Sequence, residues 1–470
     1  MTWSENRAWA APSKPLTSHT GKELIVAKER QYIDLNVELR DLDRATDKFK
    51  VALSSPAVGE SEVAEAPYGR DELEDNLDRL DRKRIDLADL IALGEQLTAR
   101  LLPSEQIRQL FKNALSKAGQ DGGVRLRLLI REPALAQLPW EFSYLQLHEG
   151  ELDRRHFLIL NPKISMVRHE ALPEEHPTLA AATPEKLRLV AAMSNPENGY
   201  RKLDLKYERG VIEKALRDFS VDGVSIEWEP FIENATVNDI TTALVKGADL
   251  FHFAGHGKLQ EVDVDPETNQ PVGVGYLAVV RDKETREPFL WPAGDVASWL
   301  QNAGVRVAVL GACDSGRRDG VTAWTSLAPA LIERGIPAVV AMQYEVLDKH
   351  AAAFSQMFYT TLASGASVDE AVWAGRQAML GISNQDDVEW GVPVLYMRSP
   401  NGVLFPKLSE RESETRDQIR RIIQQTVETI EQGGEVIGIE AKRIHGGFEI
   451  VQKATTVKGR LVGASAEDLF

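Results

Sequence analysis

A single cysteine, Cys313, in 470 residues excludes an internal disulfide and a cysteine-built zinc cage. A reducing cytosol is therefore the expected compartment. Basic charge is also scarce, with 55 Lys and Arg against 71 Asp and Glu and a net charge of −16. Nucleic-acid phosphate and anionic lipid are bound chiefly by clustered Lys and Arg, so neither a direct nucleic-acid contact nor a membrane partner is expected. No apolar run approaches the roughly 18 residues of a membrane span. The stretch from Met1 to Pro12 lacks the basic start and apolar centre of a signal peptide. These absences predict a soluble, cytoplasmic protein. What is present is ordinary globular composition, 43% hydrophobic and 27% charged, in a length that suits two to four units at roughly 100–200 residues each.

Four segments separate by composition. Residues 1–28 are polar, carry Pro12 and Pro15, and read as an arm. Residues 29–180 mix strand-like pieces at 32–37, 124–130 and 157–160 with a helical middle in which Leu73, Leu77 and Leu80 recur at helical spacing, and end in a linker containing Pro173 and Pro177. Residues 181–405 alternate short aliphatic runs with helical stretches, the βαβ rhythm of a parallel sheet. Strands are predicted at 187–193, 224–228, 249–254, 305–310, 338–341 and 394–397, and helices at 206–219, 236–246, 325–334, 349–363 and 367–380. Residues 406–470 comprise a charged helix with a stripe of Ile419, Ile422, Ile423 and Ile430, then three short Gly-flanked strands. Those strands cannot bury both faces alone, so 409–470 is expected to recruit a partner or to form a homo-oligomer. The fold class is thus α/β: a mostly parallel sheet with helices on both faces, preceded by a second α/β half and followed by a small helix-plus-β tail.

Catalysts and ligands in parallel α/β sheets collect beyond the carboxyl ends of the strands. Two motifs stand there. One is Phe251-His252-Phe253-Ala254-Gly255-His256-Gly257; the other is Gly311-Ala312-Cys313-Asp314-Ser315-Gly316. A histidine and the only cysteine would thereby leave neighbouring strands on one edge. A thiol is mostly protonated at neutral pH and needs an imidazole to activate it, which gives His256 as base and Cys313 as nucleophile. Gly255 and Gly257 would let the chain turn sharply at the strand end, and the N–H groups of Gly257 and Cys313 could hold an oxyanion. Free cysteine is also among the most buried residue types, so a structural role for Cys313 stays open. His252, inside the apolar run, reads as a core histidine. The His252/His256 spacing suits zinc on a helix, not on a strand, and no metal site or cofactor is expected. A further alternative takes Gly311-Ala312-Cys313-Asp314-Ser315 as a hydrolase-type nucleophile elbow, with His350 as the base.

The two motifs, together with the run from Ser326 to Ala341, resemble the CHAT domain, a caspase-like cysteine peptidase module akin to separases, metacaspases and gingipains. Leu138-Pro139-Trp140-Glu141-Phe142 and Trp390-Gly391-Val392-Pro393 extend the resemblance to both sides. It implies a caspase-like catalytic domain at 181–405 and a non-catalytic first half at 29–180. It further implies a cysteine endopeptidase with His256 as base, Cys313 as nucleophile and the Gly257 and Cys313 amides at the oxyanion. Such modules occur in bacterial conflict and defence systems, where a sensor or partner protein switches the peptidase on. The acidic residues Asp314, Glu345 and Asp348 near the expected substrate pocket favour a basic P1 side chain on a protein substrate. A catalytically silent scaffold that binds partners through the same fold is the competing class.

Overall fold

The computed structural model describes residues 30–146, 153–169, 186–200, 202–203, 205–206, 209–210, 212–213, 225–228, 231–264, 271–312, 324–344, 346, 348–384, 387–405, 436–444 and 447–457. The chain opens with β1 (Tyr32–Asp43), β2 (Lys48–Ser55), β3 (Gly59–Glu60) and β4 (Ala64–Pro67). Three helices follow, α1 (Arg70–Asp81), α2 (Leu87–Leu101) and α3 (Glu105–Ala118). The Asp86 and Ser104 side chains start the latter two by accepting from the N–H groups of Asp89 and Ile107. Next come β5 (Gly123–Ile130), α4 (Pro133–Ala136), β6 (Ile164–His169) and, beyond the linker, β7 (Lys186–Met193) and β8 (Ser225–Trp228).

The second half continues through α5 (Val237–Leu244), β9 (Leu250–Val264), β10 (Pro271–Val280), β11 (Pro288–Pro292), α6 (Ala293–Asn302) and β12 (Val307–Ala312). It closes with α7 (Trp324–Glu333), β13 (Ala338–Met342), α8 (Asp348–Ala363), α9 (Val368–Gly381) and β14 (Pro393–Met397). Capping boxes at Thr236 and Ser367 fix the starts of α5 and α9. Farther on, β15 (Val436–Ile444) and β16 (Gly447–Val457) pair antiparallel with each other. The third predicted tail strand and the isoleucine-striped helix lie outside the described residues. No helix among the described residues is long and apolar enough to cross a membrane.

One sheet of 14 strands runs through both halves, in the order β11-β10-β9-β12-β13-β14-β6-β5-β1-β2-β3, with β7 also beside β9, β8 beside β7 and β4 beside β2. The run β8-β7-β9-β12-β13 is parallel. Two departures from the sequence reading stand out. The run 394–397 pairs antiparallel with β13, because α9 returns the chain to the carboxyl end of that strand before β14 begins. Residues 157–160 form no strand: Leu158–Leu160 is a turn of 3-10 helix, and Phe157, Leu158, Ile159 and Leu160 are all buried. A strand sends alternate residues to opposite faces, whereas this tight turn points three consecutive apolar side chains into one core.

Along β9 the two-residue repeat divides the core. Leu250 and Ala254 pack with Phe354, Phe358 and Leu362 of α8, whereas Phe251 and Phe253 pack with Ile240 of α5, Val296 of α6 and Leu331 of α7. Helices therefore cover both faces, as the aliphatic runs imply. Between the halves, β14 meets β6 in parallel at Tyr396 and Arg168. A buried network holds the same seam. Arg125 of β5 donates from Nε and Nη2 to the two carboxylate oxygens of Asp369 on α9 at 2.9 and 2.8 Å, and to the carbonyls of Pro400 and Asn401 at 2.9 Å each. Burial opposes the charge on Arg125, but the Asp369 carboxylate overrides it and raises the guanidinium pKa.

Candidate functional site

The sheet places the two sequence motifs side by side. β9 and β12 pair in parallel with His252 opposite Val309, Ala254 opposite Gly311 and Gly255 opposite Ala312. Cys313 follows Ala312 directly in the chain, and His256 follows Gly255. Cys313 itself lies outside the described residues, as do Asp314 and Glu345; Asp348 is the first residue of α8, and its side chain is likewise outside the description.

The expected sharp turn at the glycines does not occur. β9 continues as strand to Val264, and His256, Gly257 and Lys258 lie opposite Ala278, Leu277 and Tyr276 of β10. β10 takes over where β7 stops: the Ser194 N–H, just past β7, donates to the Ala254 carbonyl at 2.9 Å. Gly255 serves close packing here. A Cβ at that position would stand 2.8 Å from the Ser194 carbonyl oxygen and 2.8 Å from the Phe253 ring.

His252 is the core histidine that its apolar flanks predict. It is buried, and its Nδ1 lies 2.8 Å from the Tyr359 hydroxyl on α8. His256 shares its face of the strand and is buried too, at 2% exposure, instead of projecting from a strand exit. A loop after β7 reaches its ring. The Tyr200 ring lies 5.1 Å from the His256 ring, tilted by 41°. Asn195 fastens the base of that loop: its amide donates to the Leu203 carbonyl at 3.0 Å and its oxygen accepts from the Leu203 N–H at 3.3 Å. The Glu197 N–H bonds the Arg286 carbonyl at 2.9 Å, and the two side chains form an ion pair, which ties the loop to the segment between β10 and β11. Asn198 and Gly199 turn it with φ of 59° and 102°. Sequence reading passed over Tyr200 and Asn195; the Asn195-Pro196 pair after an aliphatic run was the available turn signal.

His350, the alternative base, is fully buried near the start of α8. Its Nε2 lies 3.2 Å from the Ser383 hydroxyl, and Asp387 and Glu389 stand at 3.8 and 4.0 Å from its two ring nitrogens. An imidazole so enclosed is poorly placed to serve a nucleophile elbow. Among the described residues this is the one group of three side chains close enough to ligate a metal.

The family model of the CHAT domain matches residues 92–425. No curated protein matches the chain in sequence. Among solved structures, the arginine-specific cysteine proteinase gingipain R aligns at 13% identity and a TM-score of 0.37, over 72% of this chain and 76% of its own. The separase of a Saccharomyces cerevisiae separase–securin complex aligns at 11% identity and a TM-score of 0.44, over 78% of this chain but only 30% of the separase chain. The Drosophila initiator caspase Dronc aligns at 10% identity and a TM-score of 0.25, over 56% of this chain and 98% of its own.

Proposed function

Since the chain belongs to the CHAT domain family, we propose that it is a cysteine endopeptidase working through His256 and Cys313. The observation that carries this reading is the register of β9 and β12: Gly255 faces Ala312, and the next residue in the chain after each is the candidate base and the candidate nucleophile. His256 takes the thiol proton, the thiolate adds to the scissile carbonyl, and the resulting imidazolium returns the proton to the leaving amine. Water then hydrolyses the acyl-enzyme. The backbone N–H groups of Gly257 and Cys313 are the proposed oxyanion donors.

The substrate in this reading is a protein with a basic P1 side chain, selected by Asp314, Glu345 and Asp348. The covered state of His256 supports a second element: the peptidase rests closed, and a partner or sensor protein opens it, as in a bacterial defence role. A silent scaffold is the rival reading, and that same burial of His256 favours it. Alkylation separates the two. Iodoacetamide should label Cys313 much faster at neutral pH than a free model thiol, and His256→Ala should remove the excess. A Cys313 no more reactive than the model thiol, with and without candidate partners, would leave the scaffold. Profiling on a peptide library tests P1, where a preference for Asp rejects the basic assignment.

A further inference from the structure

Three side chains that can each offer a ligand atom, His350, Asp387 and Glu389, converge where α8 begins; Asp387 Oδ2 also accepts from the Asn384 N–H at 2.8 Å. Ser383 donates its single hydroxyl proton to the Met379 carbonyl at 2.7 Å, so at 3.2 Å from His350 Nε2 it can only accept. The imidazole proton is therefore on Nε2, and Nδ1 carries the lone pair. That Nδ1 is buried and has no hydrogen-bond partner. It faces Glu389 Oε1 at 4.0 Å, with Asp387 Oδ2 3.8 Å from the other ring nitrogen. One ligand atom from each of the three residues fits within a span of 4.8 Å. A gap of 4.0 Å is too long for a direct hydrogen bond. Lys83 Nζ lies 3.0 Å from Glu389 Oε1, and the Lys349 ammonium also acts on His350, so two lysines face the two carboxylates. The site keeps an unused nitrogen lone pair.

We propose that His350 Nδ1, Asp387 and Glu389 bind one divalent transition-metal cation, with Zn2+ the best match to this donor set. An imidazole nitrogen with two carboxylates suits Zn2+, whereas Mg2+ and Ca2+ prefer oxygen alone. Ligands at about 2.1 Å on a tetrahedral ion stand roughly 3.4 Å apart, so the ion draws Nδ1 and Glu389 together by about half an ångström. Ser383 fixes the tautomer that presents Nδ1, the usual part of an outer hydrogen-bond partner. The ion braces α8 against the chain that leads from α9 into β14. The inference stands whether or not the chain cleaves peptides.

Calorimetric titration of the chelator-stripped, tag-free full chain with ZnCl2 tests it, alongside thermal unfolding. One equivalent should bind and raise Tm. Ser383→Ala should weaken binding by about 10–100-fold, and Asp387→Asn by at least about tenfold, both with unchanged far-ultraviolet circular dichroism. Lys83→Ala should tighten it by removing a competing cation. If His350→Ala does not fold, the Asp387 and Ser383 variants still decide. No stoichiometric uptake, uptake equal in wild type and Asp387→Asn, or selection of Ca2+ or Mg2+ over Zn2+ would each overturn the assignment.

Discussion

A nucleophilic thiol depends on a base within hydrogen-bond reach, so His256→Ala and Cys313→Ala should each abolish peptide cleavage once the enzyme is active, as read from release of a fluorogenic leaving group. Removal of the imidazole is less innocent than a strand-exit position implies, because His256 is buried; its variant needs an unfolding curve beside the activity assay. A second residue-scale test concerns the seam. Asp369 is buried and accepts from Arg125 and Ser165. Asp369→Ala removes the buried bidentate carboxylate and leaves Arg125 only the part-exposed Asp34, 3.1 Å from Nη1, as an anionic partner, which should cost about 3–5 kcal/mol in denaturant unfolding. A loss below about 1 kcal/mol would mean that Asp34 and the two backbone carbonyls at Pro400 and Asn401 suffice.

Elements set what these residues can do, and the loop from Asn195 to Leu203 is the clearest case. Its amide clamp and its tie to Arg286 hold Tyr200 on the His256 ring. Tyr200→Ala should therefore raise the rate at which diethyl pyrocarbonate modifies His256 by about tenfold, followed by peptide mapping; an unchanged rate would assign the cover to other residues. Gly255→Ala makes the converse point. Its methyl would press on the Ser194 carbonyl and the Phe253 ring, costing about 1–3 kcal/mol through overpacking and prising β7 from β9. The buried parallel strands and their helices are legible in sequence because each aliphatic run has one period and one role. Three elements are not. Gly273 and Gly275 interrupt the apolar pattern of β10, and β9 beyond Gly257 is rich in polar residues, so the antiparallel extension beside the site carries no clean period. The His350 cluster is hidden for a different reason: its two carboxylates lie in the α9–β14 connection, the first of them 37 positions along the chain from the histidine on α8.

On the scale of the whole molecule, one sheet takes its strands from between Tyr32 and Met397, and the two tail strands form a separate sheet among the described residues. Among the described residues β15 and β16 pair only with each other, from Val436 opposite Val457 to Ile444 opposite Gly447. A lone two-stranded hairpin is marginal in water, and its open edges invite another strand. Residues 458–463 resemble a third strand, yet three strands and one isoleucine-striped helix still leave an apolar face to satisfy. A second copy of this chain is the proposed cover, through strand addition or helix pairing. Deleting 409–470 should then leave hydrolysis of a short peptide within about twofold, because neither His256 nor Cys313 is touched, while light scattering reports a lower oligomeric mass. The sheet of 30–405 contains both of its halves without the tail, so the shortened chain should also keep its Tm within a few degrees. Aggregation of the deletion variant would show that the tail completes the core, and an unchanged mass with normal folding would turn the search to a different partner protein.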